Sequence, residues 1–107
     1  MSIPNTTNGL SPIHPGVLLA EILHDLNLTQ AAFARLIDVS PMRISHIVRG
    51  ERPVTADLAL RFGKAFAQTP QMWANWQNDY DLKIAERTMK ATLEKIRALE
   101  PVAPLAA

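Results

Sequence analysis

The chain contains no cysteine in its 107 residues. Disulfides, thiolate metal sites and a cysteine nucleophile are therefore excluded. Its three histidines, His14, His24 and His46, are scattered and make a poor ligand set. They are expected at the surface or half-buried, with no metal and no cofactor. Glycine is scarce, and no glycine-rich phosphate loop or His-Glu-x-x-His pair occurs. Asp79 and Asp81 are two positions apart, so on a helix their carboxylates diverge. Ser40 and Ser45 have better uses as a cap and a DNA contact. Nothing assembles a catalytic constellation, and the expectation is a protein that is not an enzyme. Long apolar runs are also missing, and the polar start does not resemble a signal peptide. A cytoplasmic protein with no membrane contact is expected. The net charge is only +1, so no whole-molecule field draws the chain to an acidic partner.

What is present is concentrated between Thr29 and Gly50. Thr29 is an N-cap residue for a first short helix, because its hydroxyl can accept from an orphan amide of the first turn. Phe33, Leu36 and Ile37 recur at helical spacing and predict its apolar face. Ala34 is small enough for a second helix to cross there. Asp38 ends the helix in a turn that favours a left-handed backbone, usually glycine, which aspartate tolerates at some cost. Val39 plugs the turn. Ser40 caps the second helix, and Pro41 suits its first position, where no amide partner is needed. That helix is predicted over Pro41 to Arg49, stopped by Gly50. Ile44, Ile47 and Val48 face inward; Met42, Ser45, His46 and Arg49 face outward, with Arg43 on the flank.

With Gln30 counted first, Ala34 is fifth, Asp38 ninth, Val39 tenth, Ile44 fifteenth and Ile47 eighteenth. This is the spacing of the helix-turn-helix in phage-repressor-like DNA-binding domains. A plain helical hairpin with a solvated outer face is the bland alternative. The cap, turn and core positions all agree on the sharper one. Arg35, Arg43, Arg49 and Arg52 lie close together, opposed by Asp38 and Glu51. Such a local patch suffices for phosphate contacts that are modest and salt-sensitive.

The rest of the chain builds around this pair. Residues 1–11 read as a flexible arm. Pro15 opens a helix whose inner face is Leu18, Leu19, Ile22 and Leu23, with Leu26 and Leu28 covering the link that follows. Thr55 caps a helix over Ala56 to Phe66, with Leu58, Ala59, Phe62 and Ala65 inward and Arg61 and Lys64 solvated. Thr69-Pro70 opens another, carrying Met72, Trp73, Trp76 and Tyr80; aromatics so spaced outside the basic patch suit a core or a subunit contact. Leu82 to Leu99 reads as one further amphipathic helix or an extension, with Glu86 and Lys90 placed for an i,i+4 pair. Its stripe must bury on its own domain, a second copy or a partner. The chain after Pro101 is expected to fray.

The segments Pro12-Ile13-His14-Pro15-Gly16, Thr29-Gln30, Arg43-Ile44, Gly50, Thr55, Ala59-Leu60-Arg61, Trp73, Asn75, Gln77 and Tyr80-Asp81-Leu82 resemble the HigA (VapI-type) antitoxins. The resemblance spans roughly residues 12 to 85. It departs at Val17, where the family usually has glutamate. It implies an all-helical repressor-like domain that neutralises a HigB-type toxin, an RNase of the RelE-like class acting on translated mRNA. It also implies repression of the protein's own operon as a dimer.

The expected fold is all-α: a five- to six-helix, phage-repressor-like helix-turn-helix domain over residues 12–82. A C-terminal helix over 83–100, a candidate for dimerisation, and a frayed tail at 101–107 complete the chain. Gln30, Ser40, Met42, Arg43, Ser45, His46, Arg49 and Arg52 are the expected contacts to a palindromic operator. Gln30 would anchor a phosphate, and His46 would make binding pH-sensitive. Trp76, Tyr80, Met89 and Ile96 are the expected homodimer contacts. Two other readings stay open: a stand-alone repressor with no toxin, and an interaction module that does not bind DNA.

Overall fold

The computed structural model describes residues 11–99, so the expected tail and all but the last residue of the expected arm lie outside the described residues. Those described form helices and no strand: α1 (Gly16–Asp25), α2 (Gln30–Leu36), α3 (Pro41–Val48), α4 (Ala56–Phe66), α5 (Pro70–Thr88) and α6 (Lys90–Glu94). The starts follow the cap chemistry. Thr29 accepts from the Ala32 amide at 3.0 Å and Ser40 from the Arg43 amide at 3.2 Å. Thr55 accepts from the Leu58 amide at 3.3 Å. Pro41 and Pro70 occupy first-turn positions. Asp38 adopts φ 60° and Gly50 φ 74°, the left-handed backbone the turns require.

The core forms where α4 packs on α5 and where α1 and α2 each pack on α3. Leu18, Leu19 and Leu23 meet Phe33, Ala34, Ile37, Ile44 and Ile47 from one side. Leu58, Ala59, Phe62, Trp73 and Trp76 close the other. An aromatic cluster ties the halves together. Phe33 stacks on Phe66 with centroids 5.0 Å apart, and Phe62 meets Trp73 edge-on at 5.0 Å. The Trp73 indole N–H donates to Gln68 Oε1 at 3.0 Å, so its polar edge is satisfied inside.

Several expected positions are corrected. Leu36 is not on the inner face; it is 72% exposed. Phe33, Ala34 and Ile37 set the buried arc of α2, and at about 100° per residue Leu36 falls outside it. On α4, Ala65 is exposed, and Gly63 with half-buried Phe66 takes its place. Leu26 is also exposed and covers little of the link; Leu28 does so in part. His14 is buried, neither at the surface nor half-buried. Arg61 is not merely solvated: it binds the turn after α2, as described below.

The C-terminal region differs most. No single helix runs from Leu82 to Leu99: α5 continues through to Thr88, the chain breaks step at Met89, and α6 ends at Glu94. The Thr88 hydroxyl donates back to the Ala85 carbonyl at 3.1 Å, a competitor for the helix ladder at that break. The break removes the helical register that Glu86 and Lys90 needed, and no ion pair joins them among the described residues. Leu82, Ile84, Met89, Leu93, Ile96 and Leu99 all remain exposed.

Candidate nucleic-acid interface

The turn that presents α3 is fixed from outside. The Arg61 guanidinium on α4 donates to the Ile37 carbonyl at 2.6 Å and to that of Asp38 at 3.4 Å. It also pairs with Asp57 one helical turn back, at 2.8 Å. These carbonyls end α2 and have no partner within their helix, and a cation there suits the negative end of the helix dipole. The Arg61 hydrogen bond holds the Asp57 carboxyl below the usual carboxylate range, and the field of Arg43 acts in the same sense. In the sequence Arg61 reads as solvated; the i,i+4 spacing to Asp57 is the signal that could have found the pair, while its carbonyl targets carry none.

On the outer side, Ser40, Met42, Arg43 and His46 line a shallow groove of about 360 Å³ with Arg52, Pro53 and Thr55. Met42 is 68% exposed. Arg43 is exposed and reaches Thr55 Oγ1 at 3.4 Å, which steadies it between α3 and the start of α4. His46 is half-buried, and so is Ser45, which does not line the groove. Arg49 also lies outside the lining and pairs with Glu51 at 3.2 Å, both side chains exposed. Gln30 is exposed at the first position of α2 and is not among the lining residues. Five of the eight expected contacts thus share one groove: Ser40, Met42, Arg43, His46 and Arg52.

The loop carrying Arg52 and Pro53 is anchored behind. The Val54 amide is buried and donates to Gln77 Oε1 at 2.8 Å. Gln77 itself is buried on α5, and its Nε2 donates to Asp81 at 2.9 Å. Nothing in local spacing announced Gln77 as this support. The Trp76 indole donates to the Ile13 carbonyl at 2.7 Å, and only 8% of the residue is exposed. Trp76 is therefore spent on its own chain, unlike the expected dimer contacts Met89 and Ile96, which are exposed. Tyr80 is half-buried with its ring against His14.

No group of three or more acidic, histidine or cysteine side chains is placed to hold a metal among the described residues. None of their helices is long and apolar enough to cross a membrane.

Residues 19–72 match the helix-turn-helix family. Virulence-associated protein I of Dichelobacter nodosus is 47% identical over 88 residues, which cover 81% of this chain and 82% of that protein. An addiction module antidote protein of a HigA family from Coxiella burnetii superposes with a TM-score of 0.78 at 38% identity, over 89% of this chain and 99% of that one. Pseudomonas aeruginosa antitoxin HigA, solved with the higBA promoter, superposes with a TM-score of 0.74 at 36% identity, over 88% of this chain and 98% of that one.

Proposed function

The chain belongs to the HigA-type helix-turn-helix family, and from that premise we propose that it is an antitoxin that represses its own operon. The groove along α3 carries this reading. It gathers two arginines, an imidazole, two hydroxyls and a thioether beside the open face of a helix whose Ile44 and Ile47 are sealed in the core. Arginine can fork onto a guanine edge, a thioether can meet a thymine methyl, and hydroxyls and main-chain amides can hold phosphates.

Two copies would pair through the exposed apolar residues between Leu82 and Leu99, Met89 and Ile96 among them. Their α3 helices would then enter successive major grooves of a palindrome, about 34 Å apart. Gln30, Ser45 and Arg49 would contribute at the edges of the footprint, with Gln30 at a phosphate. The family's antitoxin activity supports a second partner, a HigB-type toxin of the RelE-like RNase class that this chain would bind and neutralise.

The test has two arms. A labelled duplex from immediately upstream of the gene should bind the protein with strong salt dependence, and a scrambled duplex should bind far more weakly. Co-expression with the adjacent small reading frame should yield a co-purifying complex and relieve that frame's toxicity. Equal affinity for both duplexes would remove the repressor reading, and failure of the second arm alone would leave a stand-alone regulator.

A further inference from the structure

Asp38 is the turn residue between α2 and α3, and it holds φ 60°. Residues other than glycine adopt that left-handed backbone at a cost, which aspartate and asparagine bear best. The turn closes on two main-chain bonds. The Asp38 amide donates to the Arg35 carbonyl at 3.3 Å, and the Val39 amide to the Ala34 carbonyl at 2.9 Å. Among the described residues these bonds leave the Ile37 and Asp38 carbonyls without a main-chain partner. The Arg61 guanidinium donates to both from α4, at 2.6 and 3.4 Å. Asp57 aims it by accepting from its Nε at 2.8 Å. The turn after α1 is built alike, with Asn27 at φ 54°, the Asn27 amide on the His24 carbonyl at 3.0 Å and the Leu28 amide on the Leu23 carbonyl at 2.9 Å. Arg61 bonds nothing there; its acceptors are Ile37, Asp38 and Asp57.

We propose that Arg61 is a positioning residue for DNA binding: it holds an aspartate in the turn where glycine is usual, and so fixes the direction in which α3 leaves α2. The inference rests on the DNA-binding reading above for its consequence, but the clamp itself is a property of the free protein. Arg61 does not line the groove along α3. It bounds a separate hollow with Leu36, Leu60 and Lys64. Its effect on affinity therefore passes through the placing of α3. Without the clamp, part of the population leaves the left-handed turn, and the apparent affinity falls by the fraction lost. The Asp38 charge also favours the guanidinium, after that of Asp57, so position 38 and Arg61 are linked by charge as well as by backbone. Glycine at position 38 adopts the left-handed backbone freely and makes the clamp dispensable.

Arg61→Met keeps an unbranched stem and removes every donor. Full-length protein carrying it should bind the upstream duplex about tenfold more weakly, the lower end for a hydrogen bond to a charged group. Its salt dependence should keep the slope of the unsubstituted protein, because no phosphate contact is lost. In an Asp38→Gly background the same substitution should weaken binding by less than about threefold. Comparison within that background cancels the altered charge at position 38. Arg61→Lys keeps the charge but loses the fork, and should fall between. In free protein, Arg61→Met should speed hydrogen exchange of the Val39 amide and leave that of Leu28 unchanged. An equal loss of affinity in both backgrounds would overturn the clamp, because Arg61 would not be acting through the turn. A shallower salt slope would overturn it too, by making Arg61 a phosphate contact. So would Val39 and Leu28 amides that quicken alike, the mark of a general loosening. Absence of duplex binding by the unsubstituted protein would instead remove the DNA reading, with the amide exchange still deciding the clamp.

Discussion

Replacing Gln77 with leucine should destabilise the protein by about 2 kcal/mol. The shapes are close, so little volume is lost. What changes is the Val54 amide, which donates to Gln77 Oε1 at 2.8 Å in a site where Val54 is 4% exposed. Leucine leaves that donor buried without a partner, which costs about 1–3 kcal/mol. The Asp81 carboxylate also loses its donor, but Asp81 is exposed and water replaces it. Leucine's added apolar burial offsets part of the loss. Against a total stability of about 5–15 kcal/mol for a small domain the remainder is large. At about 4–8 °C per kcal/mol for a domain of this size, it should lower Tm by roughly 8–16 °C.

The assay is urea unfolding followed by circular dichroism at fixed protein concentration, because pairing of copies would otherwise shift the midpoint. The midpoint should fall with an unchanged slope. Gln77→Glu is the internal control. It keeps the acceptor for Val54 but sets a second carboxylate beside Asp81, so it should lie between the wild type and leucine variants at neutral pH and recover in mild acid. A Gln77→Leu protein with the wild-type midpoint would refute the argument that this single side chain carries the loop.

Arg43→Ala should weaken binding to the upstream duplex by about 1–3 kcal/mol if the guanidinium reads a base; anisotropy titration at constant salt checks it, and an unchanged affinity removes Arg43 from the interface. Ala67 holds φ 54° at the C-cap of α4, a left-handed backbone that glycine adopts freely, so Ala67→Gly should stabilise by about 1 kcal/mol, and a lower urea midpoint would refute this. The native pKa of His14 lies below its ordinary 6.5 because the ring is buried. Its contribution to stability is therefore fully present above that value and lost as pH falls through the native pKa, so the unfolding midpoint should drop in mild acid for the wild type and less for His14→Asn.

The sequence exposed what is settled by neighbours along the chain. Thr29, Ser40 and Thr55 each bond an amide three residues away, and Pro41, Asp38 and Gly50 act through their own backbone angles. These are local choices, and a residue's type is enough to read them. Periodicity did nearly as well for the buried faces, failing at Leu36, where a helix of 7 residues has few positions from which to fix its arc, and at Ala65 in the last turn of α4. The groove was legible for the same reason: Ser40, Met42, Arg43 and His46 share one surface of one short helix.

What stayed hidden is the support behind the groove, and the separations show why. Arg61 holds a carbonyl 24 residues back, Gln77 an amide 23 back, and Trp76 a carbonyl 63 back. Each is a polar or amphipathic side chain that periodicity alone assigns to solvent or to a generic core, and its target is a main-chain group that no residue type advertises. The Trp76 case has a consequence for assembly. An aromatic on α5 invited a role between subunits, but its indole is consumed by the segment just before α1. The proposed pairing of two copies would then draw on the residues beyond it. There α5 breaks at Met89, and Leu82, Ile84, Met89, Leu93, Ile96 and Leu99 are exposed among the described residues. Charge on that stripe should therefore disturb assembly before it disturbs folding: Ile96→Glu, at a residue 65% exposed, should leave the unfolding midpoint of dilute protein nearly unchanged while shifting its sedimentation toward the monomer.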